Sequence, residues 1–220
     1  MKALVQIAFL LLISLTGYSQ KSYLFDYVME YEVVNAIEKG SPKLRYYCFI
    51  SSTDSRYMMI VTENDKEVRM RLVLEGGRYY YGTIAKEDFF VEAISLKCPR
   101  SGTISETEKL RNFQLETKSD TVINSGSFSH VVVQPVSRKK AENRKLFTTH
   151  YIMDNSLYLN FPSLSPDDIG YRFWKDKQTM PNGFLKECIV TDNKGNVTTH
   201  TRLVQFIKLK KLIMIDKNCK

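Results

Sequence analysis

The chain has 220 residues, 43% of them hydrophobic and 25% charged, the proportions of an ordinary globular protein. No low-complexity segment or internal repeat interrupts it, so disorder is set aside. The formal charge of +8 is moderate, and its distribution says more than its total.

At the N-terminus, Met1-Lys2 supplies one positive charge, Ala3 to Leu15 is apolar apart from Gln6 and Ser14, and Thr16-Gly17-Tyr18-Ser19-Gln20 follows. That is the order of parts in a secretory signal peptide. The apolar run falls short of the roughly 20 residues with which a helix crosses a bilayer core. Gly17 and Ser19 suit a cut before Gln20 or before Lys21, and no cysteine stands at the junction to take a lipid anchor. The expectation is an exported chain, periplasmic or extracellular and soluble after cleavage. Residues 1–20 form the signal peptide and residues 21–220 one β-rich domain, a length that buries a single substantial core.

Along that domain, apolar residues alternate with polar ones at period two. Tyr23 to Val34 places Phe25, Tyr27, Met29 and Tyr31 on one side and Asp26, Glu30 and Glu32 on the other. Leu44–Ile50 and Arg56–Val61 follow, joined by the small polar residues 51–55. Residues 63–66 then turn into a strand carrying Val68, Met70, Leu72 and Leu74. Gly76-Gly77 makes a tight hairpin into Tyr79–Ile84, since both glycines tolerate positive φ. Further strands are expected at Phe89–Leu96, Asn112–Glu116, Phe128–Val136, Lys145–Met153, Phe184–Thr191 and Val197–Phe206, the last two joined by Asp192-Asn193-Lys194-Gly195-Asn196. Ser105–Arg111 is the modest helical candidate, with Ser105 as cap. Tyr158 to Met180, with its prolines and Trp174, reads as a long connection carrying a short helix or lid. The pattern predicts a mainly β fold: a strongly curved antiparallel sheet or half-barrel with one or two short helices.

Four cysteines follow the leader: Cys48, Cys98, Cys188 and Cys219. In an oxidising compartment they permit two disulfides in three connectivities, while the strand-like settings of Cys48 and Cys188 equally suit buried thiols. No CxxC pair is present, so thioredoxin-type redox chemistry and a zinc ribbon both lack their signature. Basic residues cluster at Arg138, Lys139, Lys140, Arg144 and Lys145, and again at Lys208, Lys210, Lys211, Lys217 and Lys220. The first cluster reads either as a peripheral contact with anionic headgroups or another acidic partner, or as a solvated hairpin loop. Export disfavours nucleic acid as a partner.

The chain contains no GxSxG elbow, HExxH helix, P-loop or GxGxxG. If Phe128–Val136 pairs antiparallel with Lys145–Met153, His130 and His150 share a parity and lie diagonally on one face. A metal there needs a third ligand from elsewhere, so neither a metal nor a cofactor is expected. Asp154, Asp167 and Asp168 read as loop and cap residues.

The leader ending Gly-Tyr-Ser-Gln and the segment Phe25 to Glu32 resemble exported proteins of Bacteroidota. The closing pattern Thr179-Met180-Pro181-Asn182-Gly183-Phe184-Leu185, followed by Asp192 to Asn196, is similar to the last hairpin of the GLPGLI and related LolA-like secreted families. Asn182 intervenes between Pro181 and Gly183, and Phe184 stands where leucine is usual. The resemblance implies a curved sheet with an apolar concavity, which in LolA carries lipoprotein acyl chains. On it rests the expectation of a non-enzymatic envelope binding protein for a lipid or apolar peptide. Tyr27, Tyr31, Met58, Met70, Leu72, Tyr80 and Trp174 are its expected wall. The alternatives are an envelope interaction module acting through its surface on a protein partner, and an enzyme with a site at His130 and His150.

Overall fold

The computed structural model describes residues 20–36, 42–104, 109–156, 158–177 and 180–216. The expected signal peptide thus lies outside the described residues except for Gln20, as do positions 105–108 of the expected helix. Among the described residues, no helix is long and apolar enough to cross a membrane.

Thirteen strands among the described residues build one curled sheet. In chain order they are β1 (Gln20–Asn35), β2 (Leu44–Ile50), β3 (Tyr57–Glu63), β4 (Glu67–Leu74), β5 (Arg78–Ala85), β6 (Ala93–Leu96), β7 (Arg100–Thr103), β8 (Phe113–Thr117), β9 (Thr121–Ile123), β10 (Gly126–Pro135), β11 (Thr148–Asp154), β12 (Phe184–Thr191) and β13 (Val197–Asp216). Short helices interrupt them: α1 (Lys86–Phe89), α2 (Arg138–Arg144) and α3 (Ile169–Lys177). The spatial order is β7-β5-β4-β3-β2-β1-β13-β12-β11-β10-β8, with β9 on β10. These neighbours are antiparallel, whereas β6 joins the far end of β13 in parallel, matching Leu212–Ile215 to Ala93–Leu96. Because β6 follows β5 closely in the chain, that contact draws the β5 side of the sheet back toward β13 and curls it.

Strand parity divides the interior between two faces. Met29, Tyr31, Cys48, Ile50 and Met58 point to one face, where they meet Val131, Tyr151 and Met153 and the covering segment that carries Phe161, Leu164, Tyr171 and Phe173. Phe49, Met59, Val61, Val68, Met70 and Leu72 point to the other, against Ile94, Leu96, Ile213 and Ile215 inside the curl. Burying each such side chain contributes roughly 1.5–3 kcal/mol.

A bulge lets β1 serve both cores. Its register against β13 moves from Phe25↔Lys211 to Tyr27↔Lys208, three steps of β13 against two of β1, and a one-residue mismatch reverses which face the following side chains take relative to the partner strand. Phe25 therefore packs in the second core while Tyr27 borders the first. This corrects the single-sided reading of Phe25, Tyr27, Met29 and Tyr31.

Other differences are local. Instead of one strand over Phe89–Leu96, Lys86–Phe89 forms a helical turn with Glu87 and Asp88 near its positive N-terminal end, and the strand starts at Ala93. The basic segment 138–144 is helical rather than a loop: the Ser137 hydroxyl accepts from the Lys140 amide, Ala141 is buried, and Lys145 ends the turn at φ 53°. Of the expected helix, Leu110–Asn112 forms a 3-10 turn. The long connection does carry a helix, α3, and β13 runs ten residues past Phe206.

Two glycines are fixed by backbone contacts. At Gly77 (φ +75°) an added Cβ would lie 2.8 Å from the Ile104 carbonyl oxygen, and at Gly183 (φ +121°) it would collide with the Asp154 carbonyl. The glycine of the closing pattern thus answers a backbone crossing.

Candidate functional site

The face that holds the first core is only partly covered. Beyond the covering segment it opens into a groove of about 790 Å³ along the outer ends of β1 to β4. Val33 supplies one side, Leu44 and Tyr46 the next, Ile60 and Thr62 the third, and Arg71 the far wall. Register places them in adjacent rows: Val33 faces Leu44, and Ile60 faces Arg71. Leu44 is 62% exposed, a large apolar side chain open to solvent at the mouth. The floor is stiffened by Tyr46, whose ring stacks on buried Tyr31 at 5.3 Å. Burial drives the Tyr46 phenol well above its usual range, so it is neutral and adds no charge to the groove.

Charges around the groove are partly spent. Lys43 pairs with Glu32 and Arg45 with Glu30, each at 2.9 Å, and Glu63 holds Lys86 at 2.9 Å. No ion pair among the described residues engages Arg71. Its positive charge acts downward on Cys48 two strands away, whose thiol burial nonetheless pushes up to about 12.

The seven residues expected to form a cavity wall do not converge. Tyr31 and Met58 are buried in the first core, with Tyr27 and Trp174 at its margin, whereas Met70, Leu72 and Tyr80 are buried in the second core on the opposite face. The Trp174 indole donates to Asn182 Oδ1 at 3.0 Å. The groove instead uses their row neighbours, Tyr46, Ile60 and Arg71. Strand alternation marks which side chains turn inward, but not where the covering layer stops.

The histidine expectation holds in its geometry. His130 faces Ile152 and His150 faces Val132 across β10 and β11, the diagonal arrangement, and His130 Nε2 lies 3.1 Å from His150 Nδ1. Burial, more than the Lys118 charge or the second imidazole, lowers both pKa values. His200 stands apart, 2.9 Å from Glu187. Among the described residues no group of three or more His, Cys, Asp or Glu converges as metal ligands. Asp168 accepts from the Tyr151 hydroxyl at 2.8 Å and from the Gly170 amide at 2.7 Å at the start of α3, and Asp154 accepts from the Ser156 amide, so both act as cap and loop residues. Burial raises the Asp168 carboxyl to about 6.

A second cavity of about 640 Å³ lies between the Gly76-Gly77 hairpin and α3, with Tyr171, Arg172, Lys175 and Asp176 in its lining. Lys175 crosses its mouth to Glu75 at 2.9 Å.

Of the second basic cluster, Lys211 is 5% exposed and no surface charge. Its ammonium donates to the carbonyls of Phe89 and Val91 and lies 4.2 Å from the Phe89 ring centroid. Lys210 pairs with Glu92, and Lys217 and Lys220 lie outside the described residues. In the first cluster, Arg138 is bound to Glu142 at 3.3 Å and Lys139 and Lys140 are exposed.

The edge of β13 supplies another feature. β12 leaves it after Arg202 and β6 joins it at Leu212. Between them, no strand among the described residues pairs with Leu203–Lys211 on the side away from β1. Val204, Phe206 and Ile207 on this stretch are 50%, 41% and 51% exposed.

No protein-family model matches the chain, so the GLPGLI resemblance gains no support there, and no curated protein matches it. Among solved structures, an uncharacterized conserved protein from Thermus thermophilus aligns over 83% of this chain and 78% of its own, at 9% identity and TM-score 0.41. The MucA/MucB complex structure from Pseudomonas aeruginosa aligns over 90% of this chain and 55% of that one, at 10% identity and TM-score 0.35. This chain thus spans about half the length of the MucB chain. A putative outer membrane lipoprotein-sorting protein domain from Vibrio parahaemolyticus aligns over 87% and 86%, at 9% identity and TM-score 0.24. Likeness at this level leaves the function to be argued from this chain's own residues.

Proposed function

We propose that this is an exported, non-enzymatic binding protein of the cell envelope that holds an apolar ligand segment, such as an acyl chain, in the groove of Val33, Leu44, Tyr46 and Ile60. The observation that carries the reading is a cavity of about 790 Å³ continuous with the first core yet left open by the covering segment. Its volume lies within the ~300–1,000 Å³ usual for small-molecule sites, and its lining sets the side chains of Val33, Leu44, Tyr46 and Ile60 beside Lys43, Arg45, Thr62, Glu63 and Arg71. The groove lining has one carboxylate, Glu63, already paired with Lys86, and no histidine or cysteine, so it is furnished for holding rather than for proton transfer.

Displacement of a fluorescent fatty acid such as cis-parinaric acid tests the reading. Wild-type protein is expected to bind the probe with saturable enhancement, and Ile60→Asp, which puts a carboxylate on the floor, to weaken binding at least about tenfold, or roughly 1.4 kcal/mol. Equal binding by the two proteins at equal folded fraction contradicts it.

A second reading has its own observation. The open edge of β13, with Val204, Phe206 and Ile207 exposed, is the kind of surface on which an extended segment of another protein adds a strand. It supports an interaction module, and the two uses are compatible because groove and edge are separate.

A further inference from the structure

Three guanidinium groups stand on the groove's face of the sheet. Arg69 and Arg71 alternate along β4 with the buried side chains Val68, Met70 and Leu72 of the second core, so both point to the first face. Across β5, Arg71 is opposite Tyr81, and across β7 Tyr81 is opposite Arg100, so the three residues form one row. Arg69 lies between Thr62 and Thr83 in the adjoining row. Directly opposed side chains are neighbours and diagonal ones remain within reach of long side chains.

All three arginines are exposed, and among the described residues no carboxylate forms an ion pair with any of them. This contrasts with Lys43, Arg45, Lys86 and Arg202 in and beside the same sheet, each of which lies within 4 Å of a glutamate. Three like charges without an ion pair among the described residues thus share one face of neighbouring strands here, Arg100 also lining a separate cavity of about 580 Å³ with Tyr81 and Thr83. Tyr81 lies between two of them, and the Thr62 and Thr83 hydroxyls flank the third. Arg71 is at once part of this cluster and the wall of the apolar groove.

Planar guanidinium groups recognise phosphate through paired, charge-assisted hydrogen bonds, and clustered cations raise the local concentration of anions. An apolar trough ending on such a cluster fits an amphiphile whose chain and head differ in the same way. We infer that Arg69, Arg71 and Arg100 form the headgroup end of the groove and select a phosphate-bearing acyl lipid over a neutral one of the same chain length. The inference rests on the groove reading above and adds to it the chemical class of the ligand.

The test is calorimetric titration of the purified protein, below micellar concentrations, with lauroyl lysophosphatidic acid, with monolaurin, which has the same chain and no phosphate, and with inorganic phosphate. The lysophosphatidate is expected to bind at least about tenfold more tightly than monolaurin, roughly 1.4 kcal/mol. The double variant Arg69→Gln, Arg100→Gln, at two positions outside the groove lining, is expected to abolish that margin while leaving monolaurin affinity and the circular dichroism spectrum unchanged. Equal affinities for the two lipids in wild type overturn the headgroup assignment and leave the groove reading standing. Failure of both lipids to bind removes both. Inorganic phosphate binding as tightly as the lysophosphatidate, without monolaurin binding, makes this a free-phosphate site and also overturns the inference.

Discussion

His130 Nε2 and His150 Nδ1 lie 3.1 Å apart on the face opposite the groove, so one ring donates to the other only while at least one imidazole is neutral. The groups around them are Lys118, Thr121, Glu116 on β8 and Glu187 on β12. Both histidine pKa values are lowered, first by burial. A lowered folded-state pKa means the unfolded chain binds more protons below the ordinary histidine value of about 6.5, so this contribution to stability is complete above that pH and is lost as pH falls. In urea unfolding at stepped pH, the difference in stability between wild type and His150→Gln is expected to move in the variant's favour as pH falls from about 7 toward 5.

Asp168 has the opposite sign. Its carboxyl is raised to about 6, so the folded state binds the extra proton between about pH 4 and pH 6, and its contribution favours folding at the acid end and fades as pH rises through 6. Asp168→Asn keeps an acceptor for Tyr151 and Gly170 but does not titrate. The difference in unfolding free energy between wild type and variant is expected to move in the variant's favour as pH rises from 4 to 7. A difference independent of pH contradicts the assignment.

The Tyr31 hydroxyl donates to the Leu185 carbonyl at 3.0 Å, bridging residues 154 positions apart and tying β1 to β12. Tyr31→Phe removes this buried hydrogen bond, a loss of about 1 kcal/mol. Tyr31→Ala also opens a cavity and is expected to cost about 3–5 kcal/mol, by analogy with other large aromatic truncations. Chemical denaturation midpoints at constant m-value measure both.

Cys48 and Cys188 are free thiols, the first buried and the second partly so, and burial raises the pKa of both. Neither is expected to react with iodoacetamide at pH 8 in the native protein, and both should react in denaturant. Cys98 is disulfide-bonded, which leaves Cys219 as the remaining cysteine of the four. Cys98 follows β6 by two residues, and β6 runs parallel to Leu212–Ile215 near the end of β13. Non-reducing proteolysis is expected to yield a Cys98–Cys219 cross-linked peptide. Such a bridge, closing a loop of about 120 residues, contributes on the order of 4–5 kcal/mol in the chain-entropy account.

Much of the fold was readable where local chemistry decides it. The Gly76-Gly77 hairpin follows from residues that accept positive φ, and the diagonal of His130 and His150 follows from period two alone. The bulge between Phe25 and Tyr27 carries no such mark. Asp26, the residue it isolates, turns aside to accept from the Ser52 amide at 2.6 Å, a partner known only once β2 is in place. Residues 138–144 hide a helix because nearly every side chain is polar and Ala141 alone is buried. The candidate site was half visible: alternation identified the rows of inward-facing residues, but the limit of the covering segment decides which row becomes groove. Tyr31 and Met58 are covered, while Leu44 and Ile60 border open space.

The most direct measurement of the central claim is native mass spectrometry of the protein purified from its own cells without detergent, beside the same sample denatured. The groove account predicts a discrete excess mass that denaturation releases and that extracts as a lipid, and its loss in Ile60→Asp. Bare monomer alone, even after incubation with excess lauroyl lysophosphatidic acid, would contradict it.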